Sequence, residues 1–379
     1  MSFYIDLSEF LARPITTGIQ RIAGEICKYL PAEMAIPVGI HMGRQVAFSP
    51  KLIGAIGRHF GDASEWSAAE IRRLGNVENG TRVTFGKKDT VLVPEVFIES
   101  QRLKFFREMP KTELGCCRFF IHDLLPLTHP EYFPADAVAQ FYEYFALLRE
   151  ARECGFNSQD TRDDYYRRLK RTKDNGGVVL PLGSDALGPR PKQATLNRPL
   201  TFSVLGTIEP RKNHEMVLEA FEPLLRQIDG LQLLFIGKLG WVDAAFAGKV
   251  RDFSADKNSG FQFHADAGDG AIRRWIEQSR ATIYVSAAEG YGLPPVESLW
   301  VGTPVIASTA VPSLKGRQAK GVHFVEPLNV VNLRRAVLAF LDDDYANQKT
   351  EQTLDLELAT WRSFTAEVLR WCTQDSSMF

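Results

Sequence analysis

Two glutamates, Glu289 and Glu297, stand with seven residues between them in the string Glu289-Gly290-Tyr291-Gly292-Leu293-Pro294-Pro295-Val296-Glu297. A β-branched run precedes the string and a helical pattern follows it, so it reads as a strand-to-helix turn. The first carboxylate then sits in the loop at the strand end and the second about one turn inside the helix, where both can face one ligand from different heights. Carboxylates suit sugar hydroxyls because each accepts two hydrogen bonds. Gly290 and Gly292 let backbone N–H groups approach an anion, and the helix N-terminus adds a dipole that favours phosphate or a developing negative charge. The same residues could form no more than a tight turn, with a proline at the helix start and Glu297 solvated.

A second loop, Glu209-Pro210-Arg211-Lys212, sets two cations after a strand and just before a helix. Cations there stabilise a diphosphate leaving group as its charge grows, and so favour the transition state over the ground state. His122-Asp123 closes another strand, although a lone histidine at a strand end is more often structural than catalytic. Thr16-Thr17-Gly18-Ile19-Gln20-Arg21 follows the first strand, and Gly18 leaves a helix N-terminus open to a diphosphate.

These loops need elements to hold them. Short β-branched or aromatic runs alternate with longer helical patterns, which predicts an α/β protein of βαβ units and mostly parallel sheets. In the second half, strands are expected over residues 200–206, 231–236, 281–286 and 303–308. A helix capped by Asn213 carries Met216, Val217, Ala220, Phe221, Leu224 and Leu225, and a short helix is expected over 294–301. In the first half, strands are expected over 3–7, 117–121 and 178–182. A helix opened by Gly18 carries Ile19, Ile22, Ala23, Ile26, Cys27 and Leu30 on one face. Residues 183–199 are rich in Gly, Pro and Asn. The expected organisation is therefore two doubly wound, Rossmann-like domains, 1–186 and 199–379, with a linker at 187–198 and a cleft between them.

Glu289 and Glu297 in this setting resemble the EX7E motif of retaining glycosyltransferases of the GT-B architecture, specifically glycosyltransferase family 4. The likeness extends over most of the second domain, taking in Leu205-Gly206-Thr207-Ile208-Glu209-Pro210-Arg211-Lys212-Asn213-His214 and Gly302-Thr303-Pro304-Val305-Ile306-Ala307-Ser308, and is thinner in the first. It implies that Glu289 meets hydroxyls of the donor sugar and Glu297 the ribose of the nucleotide, while Arg211 and Lys212 clamp the diphosphate. It also implies that His122 lies close to the donor sugar, that Gly18 closes over the pyrophosphate, and that the backbone of Gly290, Tyr291, Gly292 and Leu293 helps to hold the donor. The chain departs from the pattern at Thr207, where related enzymes often carry an arginine; either Arg211 covers both duties or another cation contributes. In the family the acceptor binds the N-terminal domain, and attack is pictured on the front face, with the leaving diphosphate helping to take the acceptor proton. A final amphipathic helix bearing Trp361, Phe364, Val368, Leu369 and Trp371 packs back on the first domain in the family, although here it could cover only the second.

The Glu-Pro-Arg-Lys-Asn-His and Glu-Gly-Tyr-Gly-Leu-Pro-Pro strings are similar to those of bacterial mannosyltransferases of polysaccharide assembly. That analogy implies GDP-mannose as donor and a lipid-diphosphate-linked glycan as acceptor, in the synthesis of surface or exopolysaccharide. A GT-B-fold binding subunit without turnover, and a sugar-nucleotide epimerase or phosphorylase, are the rival readings. A dinucleotide oxidoreductase lacks support, since Gly290 and Gly292 have no third glycine at the required spacing.

Composition narrows the partners. The 379 residues carry 45 Lys and Arg against 46 Asp and Glu, so no global field attracts nucleic acid. With 45% hydrophobic and 24% charged residues the chain is globular rather than disordered. The N-terminus lacks a basic region followed by an apolar core, and no apolar run approaches the ~18 residues that span a bilayer, so a cytoplasmic protein is expected. Cys27, Cys116, Cys117, Cys154 and Cys372 contain no CxxC pair and read as reduced, buried thiols. No ligand cluster of metal spacing occurs; Asp342-Asp343-Asp344 reads as an acidic run at a helix end, so no metal and no cofactor are expected. Arg162, Arg167, Arg168, Lys170, Arg171 and Lys173, interleaved with Tyr165 and Tyr166, could touch anionic lipid at the inner face of a membrane, against the plainer account of a solvated helix face.

Overall fold

The computed structural model describes residues 2–12, 18–41, 43–60, 65–169, 177–317 and 320–373. They form two compact units, Met1–Gly183 together with Ala359–Phe379, and Ser184–Leu358.

The first unit is built on an eight-stranded sheet: β1 (Phe3–Asp6), β2 (Ile36–His41), β3 (Arg44–Ala47), β4 (Thr81–Arg82), β5 (Thr90–Val93), β6 (Cys117–Ile121), β7 (Glu153–Phe156) and β8 (Val178–Val179). Their order is β4-β3-β2-β1-β5-β6-β7-β8, and only β3 runs against its neighbours. Every residue of β1, β5 and β6 is buried, as expected of parallel strands covered on both faces, so their sequences are mostly apolar without alternation, Asp6, Thr90 and Arg118 being the polar exceptions. On one side of the sheet Phe97, Phe106, Phe119, Phe141 and Tyr144 form a ring-on-ring core. The helix Gly18–Tyr29 buries Ile22, Ala23, Ile26 and Cys27, the face that the spacing predicts.

The second unit holds a six-stranded, wholly parallel sheet: β9 (Thr201–Leu205), β10 (Gln232–Ile236), β11 (Phe261–His264), β12 (Ala281–Tyr284), β13 (Val305–Ala307) and β14 (Val322–Phe324), in the order β11-β10-β9-β12-β13-β14. The expected strands are present; 117–121 keeps its expected bounds and the others are shorter at their ends, most of all 178–182, of which only Val178–Val179 pairs. All five cysteines are buried and unpaired.

Several expectations change. The stretch read as a linker, 187–198, is fastened into the second unit. Arg273 donates to the Leu187 and Pro189 carbonyls, Trp300 donates to the Gly188 carbonyl, and the buried Arg198 donates to Thr303 Oγ1 and the Gly302 carbonyl. Its glycines and prolines break regular structure without freeing the chain. The domain boundary at 199 likewise moves to Ser184, whereas the final helix joins the first unit, as the family resemblance implies. There the helix Trp361–Thr373 buries Trp361, Phe364, Val368 and Cys372. Phe364 meets Phe120 edge-on at 5.6 Å, and Arg118 Nη1 donates to the Cys372 carbonyl at 2.9 Å. Asn213 does not cap a helix with its side chain. It adopts a left-handed backbone (φ 55°) and spends its amide on the Val285 carbonyl.

Over its described part the basic and aromatic stretch turns its rings inward and keeps Arg167 at the surface. Tyr165 and Tyr166 lie in the core, Tyr165 donating to the Leu148 carbonyl, while Arg167 pairs with Asp164 and Arg168 donates to the Leu127 carbonyl. Lys170, Arg171 and Lys173 fall outside the described residues, as do Thr16 and Thr17. No helix among the described residues is long and apolar enough to cross a membrane.

Candidate active site

In the second sheet the chain leaves β9 for β10 on one side and later returns to β12 on the other. Loops diverge at such a switch point and open a crevice at the carboxyl ends of the strands. The loop after β9, residues 206–213, and the loop after β12, residues 285–292, meet here. They are sewn together by the Ala287 N–H, which donates to the Arg211 carbonyl at 2.8 Å, and by Asn213 Nδ2, which donates to the Val285 carbonyl at 2.7 Å.

Arg211 crosses the junction. Its Nη1 lies 2.5 Å from Glu289 Oε1 and donates to the Ala288 carbonyl, while Nη2 donates to Glu209 Oε1. Glu289 Oε1 also accepts from Tyr284 OH and Ser286 Oγ, each at 2.8 Å. Among the described residues every partner of the Glu289 carboxylate falls on Oε1, which leaves Oε2 for a ligand. The side chain is only 9% exposed, so the guanidinium and two hydroxyls replace the water its charge has lost. Burial beside Glu289 pushes the Tyr284 phenol well above its ordinary range, which keeps it a donor.

Lys212 Nζ is 3.8 Å from Glu209 Oε1 and lies over Gly206, where an added Cβ would come within 2.7 Å of it. Gly206 holds φ at 119°, so the position is closed to other residues both by conformation and by the lysine. A cation thus stands beside Thr207. Gly292 holds φ at 91° at the start of the helix Leu293–Trp300, and a Cβ there would meet Val311 Cγ1 at 2.6 Å. Ser313 locks this turn, donating from N to the Tyr291 carbonyl and from Oγ to the Gly292 carbonyl. Gly290 and Tyr291 lie in the same loop, Leu293 opens the helix, and Glu297 stands a turn inside it, 6% exposed.

In the first unit His122 follows β6 and is buried. Its Nε2 is 2.7 Å from the Pro94 carbonyl, an acceptor only, so Nε2 carries the proton. The His122 carbonyl in turn accepts from Asn157 Nδ2 at 2.6 Å, which ties the loops after β5, β6 and β7 together. Burial pushes the imidazole down to about 4, so it is neutral at pH 7. Gly18 opens the helix Gly18–Tyr29 with open space where a side chain would be.

The sequence therefore brings Arg211, Lys212 and Glu289 into one cluster and gives no hint of the groups that hold them. Glu209, Tyr284, Ser286 and Ser313 were missed. Glu209 and Ser286 lie within three residues of the charged side chains they bind, a local signal; Ser313 is distant, and only the fold reveals it. Among the described residues no group of three or more His, Cys, Asp or Glu side chains is placed to hold a metal ion, and the acidic run caps a helix instead: Asp342 accepts from Tyr345 N, and Asp343 pairs with Arg280.

Residues 190–354 match the family described as Glycosyl transferases group 1. The chain is 25% identical over 327 residues to the serotype-specific mannosyltransferase WbdA of Escherichia coli, covering 80% of this chain and 38% of that one. It is 27% identical over 236 residues to the O-antigen chain mannosyltransferase B of Escherichia coli, covering 59% and 60%. The chain thus spans less than half the length of WbdA and about three fifths of the other relative. Among solved structures, sucrose-phosphate synthase from Thermosynechococcus elongatus superposes with a TM-score of 0.64 at 15% identity, covering 98% of both chains. Anabaena HepE, solved in complex with UDP and glucose, does so with a TM-score of 0.63 at 13% identity, covering 98% of this chain and 100% of that one. The fold is the two-domain GT-B architecture, and residues 190–354 form a domain of the glycosyl transferases group 1 kind.

Proposed function

We propose that this protein is a hexosyltransferase, which moves a sugar from a nucleotide diphosphate donor to a glycan acceptor with retention at the anomeric carbon. The observation that carries the reading is the Glu289 carboxylate, buried at the strand switch point with Oε1 held by Arg211, Tyr284 and Ser286 and Oε2 left for a ligand. A carboxylate fixed in this way accepts hydrogen bonds from hydroxyls of a donor sugar in one orientation. Lys212 and the N-terminus of the helix Leu293–Trp300 offer positive potential to the diphosphate, and that potential matters most as the leaving group gains charge. Arg211 acts on this cluster chiefly through Glu289 and Glu209. Glu297 takes the ribose, and His122 and Gly18 contribute from the first domain, which holds the acceptor. His122 is a neutral, shape-giving group: its one proton goes to the Pro94 carbonyl, and burial, which pushes the ring down to about 4, makes it a poor base.

The donor sugar is mannose, carried on GDP, and the acceptor is a lipid-diphosphate-linked glycan of a bacterial surface or exopolysaccharide. The named activity of the mannosyltransferase relatives supports this choice. No metal takes part, and the protein works at the cytoplasmic side, peripheral to the membrane that carries its acceptor.

The test is a thermal-shift titration with GDP, UDP, ADP, CMP and dTDP, followed by transfer from the sugar nucleotide of the winning base. Ligand at about 100 times its dissociation constant adds roughly 2.7 kcal/mol to the state it binds. A selective GDP shift and an α-mannosyl product from GDP-α-mannose are expected. A UDP or dTDP shift discards the mannose donor, and no shift with any nucleotide discards the transferase.

A further inference from the structure

Arg211 and Lys212 are neighbours in the chain, and the charged ends of both converge on one oxygen, Glu209 Oε1. The arginine donates to it from Nη2, while the lysine stands 3.8 Å away, an ion pair too long for a hydrogen bond. Arg211 already has a counter-charge in Glu289 and a further acceptor in the Ala288 carbonyl, so Glu209 is surplus to what that guanidinium needs. It is the charge that balances Lys212. Two cations and two carboxylates thus leave the cluster formally neutral before any ligand arrives, and all four side chains are largely withdrawn from water, which would otherwise screen them.

The four groups are not equally committed. Glu289 and Arg211 are bound to each other and to their surroundings. Among the described residues the N–H donors of Lys212 make no hydrogen bond, although the side chain is only 14% exposed. An ammonium with idle donors in a dry place is ready for the oxygens of an anion. Glu209 acts on such an anion in two opposed ways: it fixes where the cations stand, and its own charge repels the newcomer.

That repulsion is not the same for the two nucleotides a transferase must handle. Transfer breaks the bond between the anomeric carbon and the diphosphate oxygen; the acceptor oxygen forms the new bond and gives up its proton, and the nucleoside diphosphate leaves with the electron pair. Its terminal phosphate, freed of the sugar, ionises a second time near neutral pH, so the product carries more negative charge than the sugar nucleotide. A fixed carboxylate beside Lys212 therefore opposes the product more than the donor. We propose that Glu209 is a positioning residue that sets this balance: it holds Arg211 and Lys212 in place in the empty site and weakens the hold on the spent nucleoside diphosphate, so that the product leaves. The inference rests on the donor reading of the site.

The experiment is calorimetric titration of the full chain with GDP and GDP-mannose, and with UDP and UDP-glucose, which gives the ratio of product to donor affinity for each base. Glu209→Gln keeps the shape of the side chain and an oxygen for Arg211 but removes the charge. The ratio should move towards the nucleoside diphosphate by about fivefold, the scale of one added charge interaction across a partly screened site, and product inhibition of transfer should strengthen to match. A residue that only propped the loop would weaken both ligands together, so that outcome, or an unmoved ratio, overturns the proposal. Glu209→Asp draws the charge back by one methylene and should shift the ratio in the same direction by less. Where the amide variant does not fold, this second variant decides, and a ratio it leaves unmoved overturns the proposal. Silence of the wild type towards all four nucleotides sinks the donor reading and this inference with it, whereas wild-type binding with a ratio that Glu209→Gln does not move sinks this inference alone.

Discussion

Arg211 Nη1 and Glu289 Oε1 lie 2.5 Å apart across the junction of two loops, although 77 residues separate them in the chain. Each makes the other tolerable, since a buried carboxylate without its guanidinium, or the reverse, is an uncompensated charge. Arg211→Ala should therefore lower the unfolding free energy by about 3 kcal/mol, and Glu289→Gln, which keeps the hydroxyl contacts, by less. The double variant should recover part of the loss relative to the sum. Chemical denaturation of the four proteins measures the coupling, and strict additivity would mean that the pair acts as two independent groups.

The two motif glutamates should divide their labour. Glu289→Ala should reduce transfer by about a hundredfold or more, as expected for removing a buried group that orients the reacting sugar, while the free nucleotide still binds. Glu297→Ala should weaken nucleotide binding itself. Titrating both variants with GDP and measuring turnover separates these outcomes; equal, small effects on both quantities would contradict the assignment.

His214, the residue after Asn213, is buried with neither ring nitrogen hydrogen-bonded, and its ring meets Phe235 edge-on at 5.0 Å. Burial, with Lys212 nearby, pushes it down to about 3. The ring acts as an apolar filler that has shed its proton. His214→Phe should keep stability at pH 7 within about 1 kcal/mol of the wild type, as volume-conserving core changes do, and should improve it at pH 5. A loss of several kcal/mol at pH 7 would reveal a polar role that the geometry does not contain.

The legible part of the molecule was the part written in local patterns. Short runs rich in aromatic and aliphatic residues, such as 117–121 and 201–205, read as buried strands, and the Glu-Pro-Arg-Lys and Glu-Gly-Tyr-Gly strings as the loops that follow strands. What joins them is topological. Arg211 meets Glu289 because β9 and β12 are neighbours, and nothing in either string states that order. The supposed linker misled for the same reason. Its Pro and Gly content correctly excludes helix and strand, but its anchors, Arg273, Trp300 and Thr303, lie about 80 to 110 residues away. Lone charged residues such as Glu95, buried after β5, carry no pattern at all.

The helix Trp361–Thr373 belongs to the first unit although the second precedes it in the chain. Trp361 has no exposed surface, and its backbone crowds Gly183 so closely that a Cβ there would lie 2.2 Å from Trp361 N. Trp361→Ala should cost about 3–5 kcal/mol. The loss should appear in the first unit, as faster hydrogen exchange in β6 and β7, whose Phe120 and Gly155 this helix covers. Exchange that quickens instead in β9 to β14 would mean that the helix serves the second unit.

At the switch point of the first sheet, between β1 and β5, Glu95 accepts from the Phe10 N–H at 3.1 Å with Oε2, while its buried Oε1 has no partner. Burial pushes this carboxyl up to about 8 from an ordinary 4.5. Arg102 and the Phe10 N–H oppose the rise; Asp6 and Glu9 add to it. Arg102 is itself shared with Asp6 at 2.5 Å and Glu9 at 2.7 Å, so it does not neutralise Glu95 fully. Between pH 4.5 and 8 the folded chain keeps a proton that the unfolded chain has released, so stability should fall as pH rises through this window and level off above it. His122 and His214 act in the opposite direction: below pH 6.5 the unfolded chain takes up protons that the folded one refuses, and stability falls towards acid. Glu95→Gln removes only the alkaline slope. The difference in unfolding free energy between Glu95→Gln and the wild type should grow in favour of the variant from pH 4.5 to 8, by at most about 1.4 kcal/mol per unit, and stay constant below and above. A difference that is flat with pH would show that Glu95 is ionised in the fold and is balanced by Arg102 after all.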